Sequence, residues 1–321
     1  MPKISVIIPA YNAMNYLPDT LDNLLKQTYS DFEIIIVNDG SSDSIKQWFS
    51  QFKDPRLKLI NQENQGAGIA RNTGITNAEG EYLAFLDADD IWESTKLEKQ
   101  ASILEENPQV GLVYSWVEYI SETGQSTGRI VKHQAEGNVW EKLILRNLVE
   151  CGSVAMVRRS CFDDVGIFDK NLSSFVEDWD MWLRIAERFP FKVIEEVLVY
   201  YRQHPNGGSK NWQAMEENYK VVIEKSFSSA PKELEYLKNK SYSSAYLCLA
   251  WKPLQSRIQD YEKAIYFRNL AIKHYPQIRF TKEFFRLCLA IEIQRWLGNE
   301  GYQKFLKFFF LLRRCTTAII K

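Results

Sequence analysis

Tyr82-Leu83-Ala84-Phe85-Leu86-Asp87-Ala88-Asp89-Asp90 is the stretch from which the rest of the chain is read. An apolar, aromatic run passes straight into three carboxylates. A short apolar run bounded by polar residues reads as a strand buried on both faces, as in a parallel sheet. Asp87, Asp89 and Asp90 then stand at its carboxyl end, where open α/β sheets bind ligands. Carboxylates spaced i, i+2 repel one another and are costly to desolvate. A hard divalent cation shared with substrate phosphates makes such a cluster favourable. The competing reading is an acidic loop capping the next helix, for which Ser94 and Glu98 look like a start.

What precedes the stretch favours a site. Ile4–Ile8 is a β-branched run closed by Pro9, followed by Tyr11-Asn12 and an amphipathic helix over about 16–28. Phe32–Val37 is a second buried strand, ending in Asn38-Asp39-Gly40-Ser41-Ser42-Asp43 and a short helix over about 44–52. Leu57–Ile60 is a third strand, and Gly66-Ala67-Gly68 opens another helix. This alternation predicts an α/β fold with a largely parallel sheet and right-handed crossovers.

Three loops, Pro9–Asn12, Asn38–Asp43 and Asp87–Asp90, are therefore expected at one sheet edge. Tyr11 alone could simply cover the core, and Asp39 alone could brace its own turn. An aromatic ring, an Asp able to accept from a base N–H and an acidic cluster together suit a nucleoside diphosphate. Gly66-Ala67-Gly68 resembles the opening of a dinucleotide fingerprint, but Arg71 stands where the third glycine belongs, and no GxxxxGK[ST] occurs. Arg71 falls in the first helical turn, unfavourable for a cation. A phosphate offsets that cost, and so does an ion pair with Glu63 or Asp39.

Four segments resemble the family 2 glycosyltransferases of GT-A fold: Ile4–Asn12, Val37–Asp43, Gly66–Asn72 and Leu86–Asp90. The resemblance implies a Rossmann-like mixed, mainly parallel sheet flanked by helices, with a nucleotide-sugar as donor. It places Pro9, Tyr11 and Asp39 on the nucleobase, usually uracil, and Asp87 at the ribose. Asn12, Arg71 and Ala88 join these on the donor-nucleotide side. Asp89 becomes the ligand of a Mg²⁺ or Mn²⁺ bridging the diphosphate.

Val176-Glu177-Asp178-Trp179-Asp180-Met181-Trp182-Leu183-Arg184 begins a helix running to about Arg188. Trp179, Trp182, Leu183 and Ala186 form its core stripe, and Asp180 pairs with Arg184 on the outer face. Asp178 borders the buried stripe near the positive end of the helix. There it is expected to be ionised at neutral pH and able to accept a proton, unless it serves as an N-terminal cap. The resemblance makes Asp178 the catalytic base of an inverting transfer. It also makes His204, in Tyr201-Arg202-Gln203-His204, a ligand of the metal or diphosphate.

The chain has 321 residues, 45% hydrophobic and 25% charged, with net charge −1, so no global field draws it to nucleic acid. Five scattered cysteines, Cys151, Cys161, Cys248, Cys288 and Cys315, argue against a zinc site or a disulfide framework. Met1–Ile4 enters a strand directly and no apolar run reaches a membrane span, so a cytoplasmic location is expected. Residues 1–210 are expected to form the catalytic domain and 211–321 a helical extension. Within the extension, Tyr242–Trp251 and Tyr261–His274 resemble a degenerate tetratricopeptide pair. The basic, aromatic tail 302–321 suits an interfacial helix at the cytoplasmic face of the membrane, a buried terminal helix or a homodimer contact. The acceptor is expected to be a saccharide or lipid-linked. The alternatives are a sugar-nucleotide pyrophosphorylase, which wants a basic glycine-rich loop after the first strand, and a non-catalytic sugar-nucleotide-binding scaffold, which needs no base.

Overall fold

Ile4–Ala10, Phe32–Asp39, Leu57–Gln62 and Tyr82–Phe85 (β1–β4) lie parallel in the order β3-β2-β1-β4. β2 and β4 are buried along their whole lengths, as uninterrupted apolar runs require. β1 continues through Pro9 to Ala10 rather than stopping at Pro9. Pairing with β4 ends at Ile7, so the missing N–H of Pro9 interrupts no bond on that side. The sheet is mixed beyond β4: the full order is β3-β2-β1-β4-β8-β6-β9-β5, with β7 on β6. Here β5 is Ile91–Trp92, β6 Leu112–Ser121, β7 Ser126–Val131, β8 Met156–Arg158 and β9 Phe191–Gln203. β8 runs antiparallel to β4 and β6, whereas β9 is parallel to β6.

The helices of this part are α1 (Leu17–Leu24), α2 (Ile45–Phe49), α3 (Ala67–Asn77), α4 (Lys96–Glu106), α5 (Trp140–Leu143), α6 (Ser160–Val165) and α7 (Glu177–Ala186). α3 packs so closely on β1 that a Cβ at Gly74 would come 2.3 Å from Ile7 Cγ2. In α7, Trp179, Trp182, Leu183 and Ala186 are buried as the stripe requires. Arg184 Nε meets Asp180 Oδ2 at 2.9 Å. This pair is not on the outer face, however. Asp180 is 1% exposed, and Arg184 also donates to the Val165 and Ile167 carbonyls.

The chain divides into two compact units: Met1–Leu143 with Asn147–Pro205, and Ile144–Arg146 with Asn206–Lys321. The second unit contains α8 (Trp212–Ser229), α9 (Tyr236–Gln255), α10 (Tyr261–His274) and α11 (Lys282–Ala318). α9 and α10 bury Ala245, Leu249, Ala250, Ala264, Phe267 and Ala271, and α11 breaks at Gly298, where φ is +61°. The structure is a computed structural model that describes residues 1–172, 176–204, 212–255 and 260–318. The side chains of Gln213, Gln255, Asn299, Glu300, Gln303 and 305–318 are outside that description, so the contact expected of 302–321 falls largely outside the described residues. Among the described residues no helix is long and apolar enough to cross a membrane.

Candidate active site

β2 and β4 flank β1 on opposite sides, so the strand order reverses at the carboxyl end of β1. Such a switch point leaves a crevice between diverging loops. The loops after β1 and β2 are clipped together by Asn12, whose φ is +48°. Its N–H donates to Ser41 Oγ at 3.0 Å, and its Oδ1 accepts from the Ser42 N–H at 2.9 Å. Tyr11 is left 56% exposed beside half-buried Pro9.

Asp39, at the end of β2, reaches across to the start of α3. Its carboxylate accepts from the Gln65 N–H at 2.9 Å, the Gly66 N–H at 2.8 Å and Gln62 Nε2 at 2.7 Å. Thr73 fixes the Gln62 amide by donating to its Oε1 at 2.6 Å. Asp39 thus braces the neighbouring loop rather than its own turn. Gly66, at φ +92°, lets this loop turn into α3. A cleft of about 430 Å³ lies between the segment Asn64–Ile69 and Lys170–Leu172.

Arg71 stands in the second turn of α3 and is 4% exposed. Its partners are neither Glu63 nor Asp39. Nη2 donates to Asp87 Oδ1 at 2.6 Å and Nη1 to Glu177 Oε1 at 2.7 Å. Burial opposes its charge, but Asp87, Glu177 and Asp178 outweigh it and hold the guanidinium protonated. Arg71 therefore joins the β4 carboxyl end to the start of α7, bringing Arg71, Asp87, Glu177 and Asp178 into one centre. Gly152 passes beneath, where a Cβ would come 3.0 Å from Arg71 Nη2.

The acidic turn itself divides. Asp90 faces inward with 0% exposure, accepting from Ser153 Oγ at 2.5 Å and the Arg202 N–H at 2.9 Å. Burial, Asp89 and Asp87 push it well above the carboxylate range, so it belongs to the scaffold. Ala88 is buried and its carbonyl accepts from Thr20 Oγ1 at 3.0 Å. Asp87 and Asp89 keep 27% and 31% of their side chains open. Burial raises Asp87, Arg71 opposes the shift and Asp89 adds to it.

Asp89 Oδ2 meets His204 Nε2 at 2.7 Å. The Tyr16 ring lies 4.6 Å from that imidazole, centroid to centroid. Arg202 secures the pair by donating to the Asp89 carbonyl at 2.7 Å and to Asp19 Oδ2 at 2.6 Å. His204 Nδ1 is buried with no hydrogen-bond partner among the described residues. A carboxylate beside an imidazole with one uncommitted nitrogen fits a divalent cation that takes its remaining ligands from phosphate oxygens. Among the described residues no group of three or more His, Cys, Asp or Glu side chains could hold a metal alone.

Asp178 is half-buried and accepts from the Trp179 N–H at 2.6 Å. Burial is the largest influence on it and Glu177 adds to that; despite Arg71 and Trp179, its pKa is pushed up to about 8. The expected ionised Asp178 is therefore corrected: desolvation and the crowded acids outweigh the helix end, and the group holds its proton at neutral pH. Glu177, Ser153 and Arg202, which contact Arg71, Asp87 and Asp89 respectively, are absent from the sequence-predicted site. Glu177 had a signal in its adjacency to Asp178, whereas Ser153 had none.

A family model described as glycosyl transferase family 2 matches residues 5–166. An uncharacterized glycosyltransferase of Rickettsia felis is 33% identical over 229 residues, covering 69% of this chain, which spans only 37% of that relative. The putative teichuronic acid biosynthesis glycosyltransferase TuaG of Bacillus subtilis is 30% identical, over 70% of this chain and 88% of its own. Among solved structures, S. aureus TarS with UDP-GlcNAc superposes with TM-score 0.56 at 17% identity, covering 92% of each chain. The Pyrobaculum calidifontis mannosyltransferase PcManGT with GDP-Man and Mn²⁺ gives TM-score 0.58 at 19% identity, over 99% of this chain and 87% of that one. These two show the likeness of fold: a curled mixed sheet of the GT-A type.

Proposed function

The chain belongs to glycosyl transferase family 2, and on that premise we propose that it is a metal-dependent, inverting glycosyltransferase acting from a nucleotide-sugar, UDP-linked by preference. The observation that carries the reading is the Arg71 bridge, which ties Asp87 at the switch point to Glu177 beside Asp178. Pure donor binding needs the first half of that centre; a proton acceptor at its other end suits transfer. The names of similar proteins, which bind UDP-GlcNAc in one case and GDP-Man with Mn²⁺ in another, support the donor class and the cation.

In this reading Tyr11 covers the base, Pro9 and Asn12 shape the wall beside it, and Asp39 takes a base N–H. Asp87 and the Ala88 backbone hold the ribose. Asp89 and His204 would hold Mg²⁺ or Mn²⁺, which would neutralise charge growing on the leaving diphosphate. Asp178 takes the proton of an acceptor hydroxyl. The acceptor oxygen then bonds to the anomeric carbon as that carbon's bond to the diphosphate oxygen breaks on the opposite face. Arg71 supplies fixed positive charge beside Asp87. The catalytic domain is 1–210, and the acceptor is a saccharide or lipid-linked hydroxyl met by a protein working at the cytoplasmic face of the membrane.

Thermal denaturation with a panel of nucleotide-sugars, with Mn²⁺ and again with a chelator, tests this reading. A ligand that binds only the folded state raises the midpoint. One nucleotide-sugar should do so in Mn²⁺, and Asp89→Ala should lose both the shift and its metal dependence. No shift with any donor would contradict the proposal.

A further inference from the structure

α11 presents two unlike faces before its break at Gly298. Leu287, Ala290, Ile291 and Gln294 are buried, spaced i, i+3, i+4, i+7 against the rest of its unit. The opposite face should be polar on a helix whose surroundings are only water. Instead Phe285 is 69% exposed, Leu289 47% and Trp296 79%, and Phe280, just before the helix, is 89% exposed. Isolated exposed apolar residues are ordinary, but three aromatic rings and a leucine along one stripe mark an interaction surface.

Charge tells what kind of surface it meets. A groove of about 360 Å³ brings Arg279, Lys282 and Arg286 together with Phe280 and Phe285. None of those three cations has an ion-pair partner among the described residues, whereas Glu292 is engaged by Arg295 at 4.0 Å and by the Trp296 indole at 3.3 Å. From Arg279 to Lys321 the sequence carries nine basic residues against three acidic, in a chain whose net charge is −1. A free phosphate would answer the cations and leave the rings in water. A second copy docking through the same patch would set cation against cation. An anionic bilayer answers both, because rings sit at headgroup level while Arg and Lys reach lipid phosphates.

We propose that the groove at Arg279–Arg286 and the Phe285–Trp296 stripe form a docking surface for an anionic phospholipid membrane. The seat lies ahead of 302–321 and is independent of donor chemistry, so its test needs neither donor nor acceptor. The full chain is floated with vesicles of phosphatidylglycerol and phosphatidylcholine, and in parallel with phosphatidylcholine alone. Light scattering reports oligomeric state. The expected result is binding to the anionic vesicles only, weakened by salt. It should fall about tenfold or more in Arg279→Ala/Lys282→Ala/Arg286→Ala, and likewise in Phe285→Ser/Trp296→Ser. All five side chains are on the surface, so circular dichroism and melting should match the parent chain. Undiminished binding by both variants, or no binding by the parent, overturns the proposal. So does a dimer that Phe285→Ser/Trp296→Ser dissociates, which would assign the stripe to a second copy.

Discussion

At the residue scale, Arg71 carries more of the site than its place in a glycine turn suggested. Its guanidinium pairs with buried Glu177 and with partly open Asp87, so Arg71→Ala, which breaks a buried ion pair, should destabilise the protein by about 3–5 kcal/mol, read by chemical denaturation. A loss below about 1 kcal/mol would mean that the bridge is dispensable. Asp178 makes a pH prediction of definite sign. Folding raises its affinity for protons, so that contribution to stability is full below the ordinary carboxylate range and is lost as pH rises to about 8. Asp178→Asn should therefore flatten the fall in stability across that window and be the more stable form above it. Activity runs the other way: as a base, Asp178 must be ionised, so kcat/KM should climb with pH on its acidic limb. The acids of this centre were legible as acids in the sequence. Their counter-ion was not, because Arg71 meets Glu177 across a separation of 106 residues, and local spacing encodes no such pairing.

At the element scale, the parallel strands were legible because each is an apolar run with a turn behind it. The mixed half was less so. β9 begins at Phe191, well ahead of the Tyr201–His204 motif, and its first half is partly exposed and carries Glu195 and Glu196, which break any burial pattern. β5 has two residues, too few for periodicity to register. What fixes the site at this scale is the seating of α3 on β1, since α3 delivers Arg71. Gly74→Ala would force a methyl into Ile7 and should cost about 1–3 kcal/mol, lowering the melting temperature and weakening donor binding together. Unchanged melting would show that α3 can lift without consequence.

At the scale of the whole molecule, motif order across the first hundred residues carried the family and the fold. The matched family region, 5–166, stops short of Asp178 and His204. Those two are placed by geometry: one beside the Arg71 bridge, the other on Asp89. The near-neutral total charge conceals a basic end that composition alone averages away. On the proposed function, the first unit combines a donor crevice with Asp178 as proton acceptor at its rim. Asp178→Asn in a transfer assay, with donor affinity measured on the same preparation, tests that most directly. Turnover should fall by about 10²–10⁴ while metal-dependent donor binding stays as it was. A variant that keeps about a tenth or more of the parental rate would show that another group takes the proton.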